Sequence, residues 1–421
     1  MGILIGNAVV GQSGGPTAAI NATLAGVVRG ALACDSIGTV FGMRNGMEGL
    51  LRRDLVDLSA RFADEGELDF LENTPAAALG SCRKKLPPVK ENEEFYQDVF
   101  AIFKEFDIRY FFYIGGNDSM DTVAKLSEYS ALCDYELRVI GVPKTIDNDL
   151  VVTDHTPGFG SAAKYIATTM QEIIRDCAVY TTKAVTIVEI MGRDAGWLTA
   201  SSAIGRVVNG TCPDLVYLPE RAFSLEEFLE DVKAALEKKP NVVVAVSEGI
   251  RFADGKYVCE GVSSGAVDVF GHSMLSGTGK ALENIVRAEF GCKVRSIELN
   301  LPQRCAAHLA SDTDLRESVA VGKAAVETAA SGISRQMMVI NRVSDEPYRM
   351  EVGHADVSEI ANRVKHVPAE FINERGNHVT DACCRYLLPL IQGERNIVYK
   401  DGLPVHCIIR QEGQIQTRPK A

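Results

Sequence analysis

The sequence predicts an α/β protein in which mostly parallel sheets are flanked by helices, and two observations lead to this prediction. Short β-branched runs alternate along the chain with longer segments of helical periodicity, which is the pattern of parallel strands joined by crossover helices. The chain has 421 residues, of which 46% are hydrophobic and 24% are charged. This is the composition of a soluble globular protein with two or three domains.

Charge and cysteine content restrict the partners and the compartment. The formal net charge of -12 disfavours nucleic acid or an anionic membrane surface as the main partner. The eleven cysteines are odd in number and form no CxxC pair, which indicates reduced thiols rather than disulfides or a zinc site. The histidines lack metal-ligand spacing, and no stretch approaches about 18 uninterrupted apolar residues. We therefore expect a soluble, cytoplasmic protein.

The first predicted strand, Ile3–Val10, is followed by a glycine-rich loop, Gly11–Thr17, and a predicted helix, Pro16–Arg29. Gly14 and Gly15 would let a phosphate approach the backbone, and the amide donors of a helix that begins near Pro16 would bind it. A plain tight turn between a strand and a helix would have the same sequence. Phosphate binding at this loop is therefore one of two interpretations.

Two further loops carry charge. The segment Gly80–Lys85 places three cations behind a glycine, and its simplest interpretation is a solvated charge run. The predicted strand Tyr110–Ile114 runs into two glycines that are followed by Asn117 and Asp118. At such a strand end the Asp118 carboxylate either holds Mg²⁺ or repels an anion.

The most informative loop follows the apolar run Leu137–Val142. In an extended chain, Thr145, Asp147 and Asp149 would share one side, with neighbours about 6–7 Å apart. Lys144 would neutralise an anionic group held near these carboxylates. The alternative is a polar turn without function.

The second half of the chain repeats this arrangement. The predicted strand Val185–Ile190 is followed by Arg193, and the predicted strand Val242–Val246 by Glu248. A planar guanidinium and a carboxylate at strand ends suit an oxygen-rich ligand that carries phosphate and hydroxyl groups.

Arg295 and Arg304 lie nine residues apart in the next segment, ahead of a predicted helix, Leu315–Ala330. Surface polarity would explain each of these loops alone. Five polar loops that all follow predicted strands indicate a single ligand site, because ligands of open α/β sheets lie at the carboxyl ends of the strands.

Taken together, the motifs resemble those of the 6-phosphofructokinase family, and more closely its pyrophosphate-dependent branch. GGNDS at 115–119, PKTIDND at 143–149, MGR at 191–193, Glu248 and QR at 303–304 occur in the order and spacing of that family. The resemblance runs from about residue 3 to residue 340, and the remainder resembles the carboxyl-terminal extension of pyrophosphate-type members.

The resemblance implies two Rossmann-like domains, each with a mostly parallel sheet flanked by helices, and an active site in the cleft between them. We assign residues 1–150 to a phosphoryl-donor domain and residues 151–340 to a sugar-phosphate domain. Residues 341–421 would form a carboxyl-terminal extension that packs on both domains.

The resemblance also implies roles for individual residues. Asp147 matches the general base that takes the proton from the C1 hydroxyl of fructose 6-phosphate, and Asn117 and Asp149 match the Mg²⁺ region. Arg295 matches an arginine that reaches the sugar phosphate across a subunit interface, so a homodimer or homotetramer is implied. The remaining substrate-binding residues would be Gly14, Gly15, Arg83, Thr145, Met191, Gly192, Arg193, Glu248 and Arg304, with Arg193 also serving catalysis.

Two residues predict the phosphoryl donor. Asp118 stands where ATP-dependent members have a glycine, so a carboxylate would fill the space of an inner nucleotide phosphate. Two unit charges about 4 Å apart at an effective dielectric of about 20 interact by roughly 4 kcal/mol, about a thousandfold in binding. Lys144 replaces another glycine of the ATP branch and would balance the charge of the leaving orthophosphate. The expected substrates are therefore pyrophosphate and fructose 6-phosphate, and the transfer would be reversible.

The sequence departs from the family pattern at three positions. Asn117 stands where a magnesium-binding Asp is usual, Leu301 where His or Tyr is frequent, and Ala184 where many bacterial relatives have an interface arginine. Two alternatives remain at this point: an ATP-dependent 6-phosphofructokinase that tolerates Asp118, and a regulatory subunit of the same fold without catalysis. Dimer or tetramer, allosteric effectors and acceptance of sugars such as sedoheptulose 7-phosphate are left open.

Overall fold

The computed structural model describes residues 3–64, 66–261, 277–409 and 415–416. Residues 262–276 of the predicted second domain and part of the predicted extension therefore lie outside the described residues. Among the helices of the described ranges, none is long and apolar enough to span a membrane.

The strands and helices alternate along the first 300 residues, and the predicted α/β fold is confirmed. The strands are β1 (Gly6–Gln12), β2 (Ile37–Met43), β3 (Leu55–Asp57), β4 (Ile108–Gly115), β5 (Arg138–Pro143), β6 (Ala184–Ile190), β7 (Leu215–Tyr217), β8 (Asn241–Ser247), β9 (Lys293–Glu298), β10 (Gln336–Asp345), β11 (Tyr348–Asp356), β12 (Tyr399–Lys400), β13 (Leu403–Pro404), β14 (Ile408–Ile409) and β15 (Ile415–Gln416). The helices are α1 (Ile20–Leu32), α2 (Gly46–Leu51), α3 (Leu58–Arg61), α4 (Gly66–Glu72), α5 (Glu93–Glu105), α6 (Asn117–Leu132), α7 (Phe159–Cys177), α8 (Trp197–Ser201), α9 (Gly205–Asn209), α10 (Leu225–Lys238), α11 (Thr278–Phe290), α12 (Pro302–Cys305), α13 (Asp312–Ala330) and α14 (Asp381–Leu387).

Two main sheets organise the molecule. The larger sheet has the strand order β11-β10-β5-β4-β1-β2-β3. Its pairs are parallel except for β2 with β3 and β10 with β11. The smaller sheet, β7-β8-β6-β9, is parallel throughout. Parallel strands end on the same edge of a sheet. The loops after β1, β4 and β5 therefore meet at one edge of the larger sheet, and the loops after β6 and β8 meet at one edge of the smaller sheet.

Each main sheet is buried on both faces. In β4, the side chains of Tyr110, Phe112 and Ile114 belong to one hydrophobic core, and those of Phe111 and Tyr113 belong to the core on the opposite face. The smaller sheet likewise separates two cores. Burial on both faces explains why these strands appear in the sequence as continuous apolar runs.

The helix after the first glycine loop begins later than predicted, at Ile20 instead of Pro16. The carbonyl oxygen of Thr17 accepts a hydrogen bond from the amide of Ala76 at 3.1 Å, and the hydroxyl of Thr17 accepts one from the amide of Ala19. These bonds hold the backbone before Ile20 in a loop. Consequently, the glycines of this loop do not stand at the first turn of α1.

The chain returns to the larger sheet late in the sequence. The prediction assigned residues 151–340 to the second domain, but β10 pairs in parallel with β5, and α13 packs along α1. A Cβ at Gly26 would lie 2.2 Å from the Val319 carbonyl oxygen, and one at Gly322 would lie 2.4 Å from that of Thr23. Glycine at both positions lets the two helix backbones touch, so α13 and β10 belong with the first sheet.

The described part of the carboxyl-terminal extension contributes to both halves of the molecule. Strand β11 extends the larger sheet, and Cys407 and Ile409 lie in one of its cores. In contrast, Cys383 and Leu387 of α14 lie in a core of the smaller sheet.

Candidate active site

The glycine loop after β1 is covered by two cations. The Lys144 ammonium donates a hydrogen bond of 2.8 Å to the carbonyl oxygen of Gly15, and a Cβ at Gly14 would lie 3.2 Å from its Nζ atom. A Cβ at Gly15 would lie 3.6 Å from Nη1 of Arg304, which α12 carries over from the other half of the molecule. Gly14 has φ +76°, a conformation that favours glycine. Because Gly14 and Gly15 have no side chains, an anion can approach the backbone of this loop next to the positive charges of Lys144 and Arg304.

Lys144 is buried, with 4% of its surface exposed. Burial lowers the pKa of its ammonium to about 8, while the nearby carboxylates of Asp147 and Asp149 oppose this shift, and Arg83 and Arg304 add to it. A buried ammonium that shares its surroundings with two carboxylates and two guanidinium groups is suited to an anion that brings further negative charge.

The segment Gly80–Lys85 is part of the site and not only a solvated charge run. The carbonyl oxygen of Cys82 accepts a hydrogen bond of 3.1 Å from the Gly14 amide, and the Ser81 hydroxyl donates one of 2.6 Å to the Gly14 carbonyl oxygen. These bonds hold the segment against the glycine loop. Arg83 thereby comes close enough to Lys144 and Arg304 to influence the pKa of both.

The two carboxylates after β5 lie in a turn and not in an extended strand. Strand β5 ends at Pro143, and Asn148 has φ +54°, so the predicted strict alternation of faces is wrong beyond the strand end. Asn148 is fully buried and its Oδ1 accepts a hydrogen bond of 3.1 Å from the amide of Thr156. This bond fixes the turn that carries Asp147 and Asp149.

The predicted proximity of these carboxylates is nevertheless present. Burial, together with the charge of Asp147, raises the pKa of Asp149 to about 7. Burial also raises the pKa of Asp147, against the opposing effects of Lys144, of the Thr145 hydroxyl and of Arg193. The Thr145 hydroxyl lies 3.3 Å from Oδ2 of Asp147 and accepts a hydrogen bond of 3.1 Å from the Asp147 amide. Thr145 thus orients Asp147.

Asn117 and Asp118 lie in the first turn of α6. Asp118 forms an ion pair of 3.3 Å with Lys85, and both side chains are about half exposed. This pair offsets part of the charge that the sequence argument assigned to Asp118 against a nucleotide phosphate. Asn117 donates a hydrogen bond of 2.9 Å from Nδ2 to the carbonyl oxygen of Arg363, whereas its buried Oδ1 has no hydrogen-bond partner within the described ranges.

On the opposite side of the cleft, Glu248 fixes the loop after β6. Its Oε1 accepts a hydrogen bond of 3.3 Å from the Gly192 amide. Gly192 has φ +126°, and a Cβ there would lie 2.6 Å from the Ala195 carbonyl oxygen, so no side chain fits. Burial raises the pKa of Glu248 to about 8; the Gly192 amide and Arg193 oppose this shift, and Asp147 adds to it. Asp147 and Glu248, which follow strands of different sheets, are therefore close enough to interact.

Arg193 faces the same space. Its positive charge opposes the rise in the pKa of both Asp147 and Glu248. Its buried Nε has no hydrogen-bond partner among the described residues. The neighbouring Met191 is held by its amide, which donates a hydrogen bond of 3.3 Å to Oε1 of Gln303. Gln303 is a residue that sequence reasoning matched to the family but did not assign to the site.

Arg295 is the one predicted site residue that the structure does not bring to this cleft. It is exposed on β9, an edge strand of the smaller sheet, opposite Thr186 in the early part of β6. The carboxyl ends of the strands lie several residues further along. A contribution of Arg295 to this site requires a second copy of the chain and remains a prediction.

Sequence reasoning also missed Lys365 of the extension. Its amide donates a hydrogen bond of 2.8 Å to the Asp149 carbonyl oxygen, and burial lowers the pKa of its ammonium to about 8. Its sequence neighbours, Val364 and His366, form no functional motif with it, so no local signal could have identified it.

The donor set fits a divalent cation that also binds substrate oxygens. Within the described ranges no group of three or more His, Cys, Asp or Glu side chains is arranged to hold a metal ion. The buried Oδ1 of Asn117, which lacks a partner in the part of the chain that the structure describes, and the carboxylate of Asp149 are oxygen donors of the kind that Mg²⁺ prefers. Mg²⁺ usually takes only one or two protein ligands next to substrate phosphates.

Fold and site together define a class of protein. A cleft between a mostly parallel and a parallel sheet, with glycine backbone and cations on one side and carboxylates within reach, suits the binding and transfer of phosphoryl groups. The chain belongs to the phosphofructokinase family: the sequence model described as Phosphofructokinase matches residues 7–321.

Relatives with established names cover nearly the whole chain. The chain is 43% identical over 404 residues to pyrophosphate--fructose 6-phosphate 1-phosphotransferase of Halomonas elongata, which covers 94% of each chain. It is 43% identical over 408 residues to the protein of that name from Xanthomonas campestris pv. campestris, covering 96% of each. Among solved structures, the pyrophosphate-dependent phosphofructokinase of Nitrosospira multiformis superimposes with a TM-score of 0.87 at 38% identity, covering 99% of both chains.

Proposed function

We propose that this protein is a pyrophosphate--fructose 6-phosphate 1-phosphotransferase. It would transfer a phosphoryl group from pyrophosphate to the C1 hydroxyl of fructose 6-phosphate, yielding fructose 1,6-bisphosphate and orthophosphate, and it would also catalyse the reverse reaction. The observation that carries the proposal is the buried Lys144 ammonium, which bonds to the glycine loop within reach of Asp147. The near full-length similarity to relatives of that name supports it.

In this mechanism Asp147 acts as the general base. The C1 oxygen attacks the phosphorus of the transferred group, its proton passes to the Asp147 carboxylate, and the bond to the bridging oxygen breaks with release of orthophosphate. Thr145 orients Asp147. Lys144 lies where it would stabilise the charge on the leaving orthophosphate. Nε of Arg193, which has no hydrogen-bond partner among the described residues, would bind an oxygen of the phosphoryl group during its transfer.

Asn117 and Asp149 would hold Mg²⁺. When bound, this ion neutralises charge on the pyrophosphate oxygens and so favours attack by the hydroxyl. The sugar phosphate would bind on the opposite side of the cleft, where Glu248 accepts sugar hydroxyls and Arg304 pairs with phosphate. Arg83 lies near Arg304 and would share this role. Arg295 would complete the pocket from a partner copy in a cytoplasmic homodimer or homotetramer.

A donor assay tests the proposal most directly. Purified protein is supplied with fructose 6-phosphate, Mg²⁺ and either pyrophosphate or ATP, and fructose 1,6-bisphosphate is measured. We expect turnover with pyrophosphate, turnover in the reverse direction with orthophosphate, and none with ATP. Turnover with ATP alone would refute the donor assignment, and a folded protein that is inactive with both donors would favour a regulatory subunit.

The ATP-dependent alternative has one structural observation in its favour, the ion pair between Lys85 and Asp118. This pair reduces the repulsion of a nucleotide phosphate, and exclusion of ATP then depends more on the volume of the Asp118 side chain. We therefore predict that Asp118→Gly combined with Lys144→Gly allows ATP to bind, measured by calorimetry. The single change Lys85→Ala is the control, because it removes the pair without opening the space. A folded double variant that still does not bind ATP would show that other residues exclude the nucleotide.

A further inference from the structure

One segment of the carboxyl-terminal extension, Arg363–Val367, lies across the end of the cleft, and we call it the strap. It has no regular secondary structure, and most of its residues are exposed or only partly buried. Nevertheless, its backbone and side chains form hydrogen bonds to loops that follow strands of both main sheets. An irregular segment with so little burial has few apolar contacts to hold it, so these bonds determine its position.

On the side of the larger sheet, the strap holds the two residues that are assigned to the metal. The carbonyl oxygen of Arg363 accepts the hydrogen bond of 2.9 Å from Nδ2 of Asn117. Two residues later, the Lys365 amide donates its bond of 2.8 Å to the carbonyl oxygen of Asp149. The Lys365 ammonium also donates to the carbonyl oxygen of Thr153 at 3.2 Å. The loops after β4 and β5 are thereby connected through the strap.

On the side of the smaller sheet, three further bonds anchor the strap. The indole Nε1 of Trp197 donates a hydrogen bond of 3.0 Å to the Lys365 carbonyl oxygen. Nδ1 of His366 lies 2.9 Å from the Asp194 carbonyl oxygen, next to Arg193. The Val367 amide donates a bond of 2.9 Å to Oε1 of Glu220. The strap thus bridges the cleft next to its catalytic groups.

The strap also determines which side-chain atom of Asn117 is left available to a ligand. A backbone carbonyl oxygen only accepts hydrogen bonds, so the NH₂ group of Asn117 faces Arg363 and Oδ1 faces away, buried and without a partner in the described chain. An aspartate at this position would place a second acceptor oxygen against the Arg363 carbonyl, which is unfavourable. An amide therefore suits this position better than the carboxylate that is usual in the family.

We propose that the strap is a positioning element of the active site. It orients Oδ1 of Asn117 toward the divalent cation, and it ties the backbone of Asp149 to the domain that binds the sugar phosphate, so that donor and acceptor sides are held at a fixed separation. The proposal rests on the proposed function, because it assumes that a metal–diphosphate complex binds at Asn117 and Asp149. The strap residues themselves act only through other groups.

The first test removes one anchor of the strap. Trp197→Phe deletes the indole N–H but keeps an aromatic ring in the core. Hydrogen exchange at the Lys365 and Val367 amides is measured by mass spectrometry, and we expect it to become about threefold to tenfold faster, the effect of losing one hydrogen bond. Tyr135→Phe is the matched control, because it removes hydrogen bonds to the carbonyl oxygens of Phe103 and Ile108, at the end of the larger sheet opposite to the strap. If Trp197→Phe does not fold, His366→Ala removes another anchor at an exposed residue.

The second test uses Asn117→Asp and has opposite outcomes for the two explanations. Binding of Mn²⁺ is measured by electron paramagnetic resonance in the presence of methylenediphosphonate, a diphosphate analogue that cannot be transferred. If Asn117 were an ordinary oxygen ligand, the added carboxylate would tighten binding. The strap predicts instead that binding weakens about threefold to tenfold, and that Trp197→Phe weakens it in the same direction.

These measurements separate the strap from the proposed function, since neither exchange nor Mn²⁺ binding depends on turnover. Unchanged hydrogen exchange in a folded anchor variant, or tighter Mn²⁺ binding by Asn117→Asp, would contradict the proposed positioning role of the strap. If the wild-type protein binds Mn²⁺ and methylenediphosphonate but does not turn over pyrophosphate, the proposed function is wrong, whereas the positioning role of the strap is not affected.

Discussion

Asp147 illustrates how neighbouring residues produce the chemistry of a single side chain. Burial raises its pKa, and three neighbours, namely Lys144, Thr145 and Arg193, work in the opposite direction. The resulting carboxyl group has a greater affinity for a proton than an exposed aspartate, yet it is held beside cations that keep its charged form accessible. A general base requires this balance, because it must be ionised before the reaction and must take up a proton during it.

We predict that Asp147→Ser removes most of the turnover with pyrophosphate, about a hundredfold or more, because general-base catalysis contributes on this order. Binding of fructose 6-phosphate should remain within about tenfold of wild type, since the phosphate contacts are made by other residues. Steady-state kinetics and calorimetry measure the two quantities. Asp98→Ser, on the exposed side of α5, is the control. Unchanged turnover in Asp147→Ser would contradict the assigned base.

The pKa of Lys144 predicts the alkaline limit of activity. Burial lowers this pKa from 10.5 to about 8, so the ammonium is charged below pH 8 and becomes neutral as the pH rises through that value. We expect kcat/KM for pyrophosphate to fall in this range. On the acid side, Asp149 takes up a proton as the pH falls through about 7, which would weaken metal binding.

Lys144→Arg tests the alkaline part of this profile, because a guanidinium keeps its charge at all accessible pH values. The decline at high pH should then move upward or disappear in a variant that retains activity. Lys125→Arg, on α6 and paired with Asp121, is the control and should leave the profile unchanged. An unchanged alkaline decline in Lys144→Arg would assign it to a different group.

At the scale of secondary-structure elements, glycines bring the backbones of α1 and α13 into contact. A Cβ added at Gly26 would lie 2.2 Å from the Val319 carbonyl oxygen, so the two helices must move apart to accept any side chain there. We predict that Gly26→Ala lowers the free energy of unfolding by about 1–3 kcal/mol, the usual cost of overpacking. Urea unfolding measures this change.

The neighbouring glycine of the same helix provides the control for this prediction. A Cβ at Gly30 would meet only side-chain atoms of Val326 at 3.2 Å, with backbone no closer than 3.3 Å. A shift of a few tenths of an ångström accommodates it, and alanine favours helix over glycine by about 1 kcal/mol. Gly30→Ala should therefore be much less harmful than Gly26→Ala. Equal losses at both positions would contradict the importance of the close contact.

Elements could be predicted from the sequence where the signal was local. Strands such as β5 and β8 appear as apolar runs, and polar residues follow them directly in the chain. Asp147 and Glu248 could therefore each be assigned to the carboxyl edge of a sheet. The start of α1 could not be predicted, because the bond from Ala76 to Thr17 joins segments far apart in sequence. The return of β10 to the first sheet depends on non-local packing in the same way.

At the scale of the whole molecule, Arg295 lies on an edge strand outside the cleft, whereas the family resemblance implies that it reaches the sugar phosphate. Together these two points lead us to predict an active site shared between copies. We expect Arg295→Ala to be nearly inactive and to be complemented by Asp147→Ser, which is inactive for a different reason. Mixing the two variants after dissociation would create hybrid sites that contain a native Asp147 from one copy and a native Arg295 from the other.

In a dimer, random mixing makes half of the molecules hybrids, each with one of two sites intact, so recovery should approach about a quarter of wild-type activity. Activity of the mixture before dissociation is the baseline. A mixture that remains inactive, although native mass spectrometry shows that hybrid oligomers have formed, would place Arg295 outside the shared site.

The site as a whole shows the same limit of prediction. Four residues of the site each follow a strand, and their position at the carboxyl ends of the sheets could be predicted from the sequence. These residues are Lys144, Asp147, Arg193 and Glu248. The strap could not be predicted, because Arg363–Val367 follows no strand of the cleft and only the fold brings it there. A residue of the site could be predicted where it directly follows a strand in the chain, and it could not be predicted where segments distant in sequence meet.

The late return of α13 and β10 to the larger sheet has a consequence for synthesis of the chain. The ribosome releases β1, β4 and β5 long before residues 312–345, so the edge of β5 that later receives β10 stays uncovered while the smaller sheet is made. An open strand edge invites wrong pairing. We therefore expect a chain truncated before residue 312, which lacks both α13 and β10, to be insoluble, because this edge of β5 then stays uncovered.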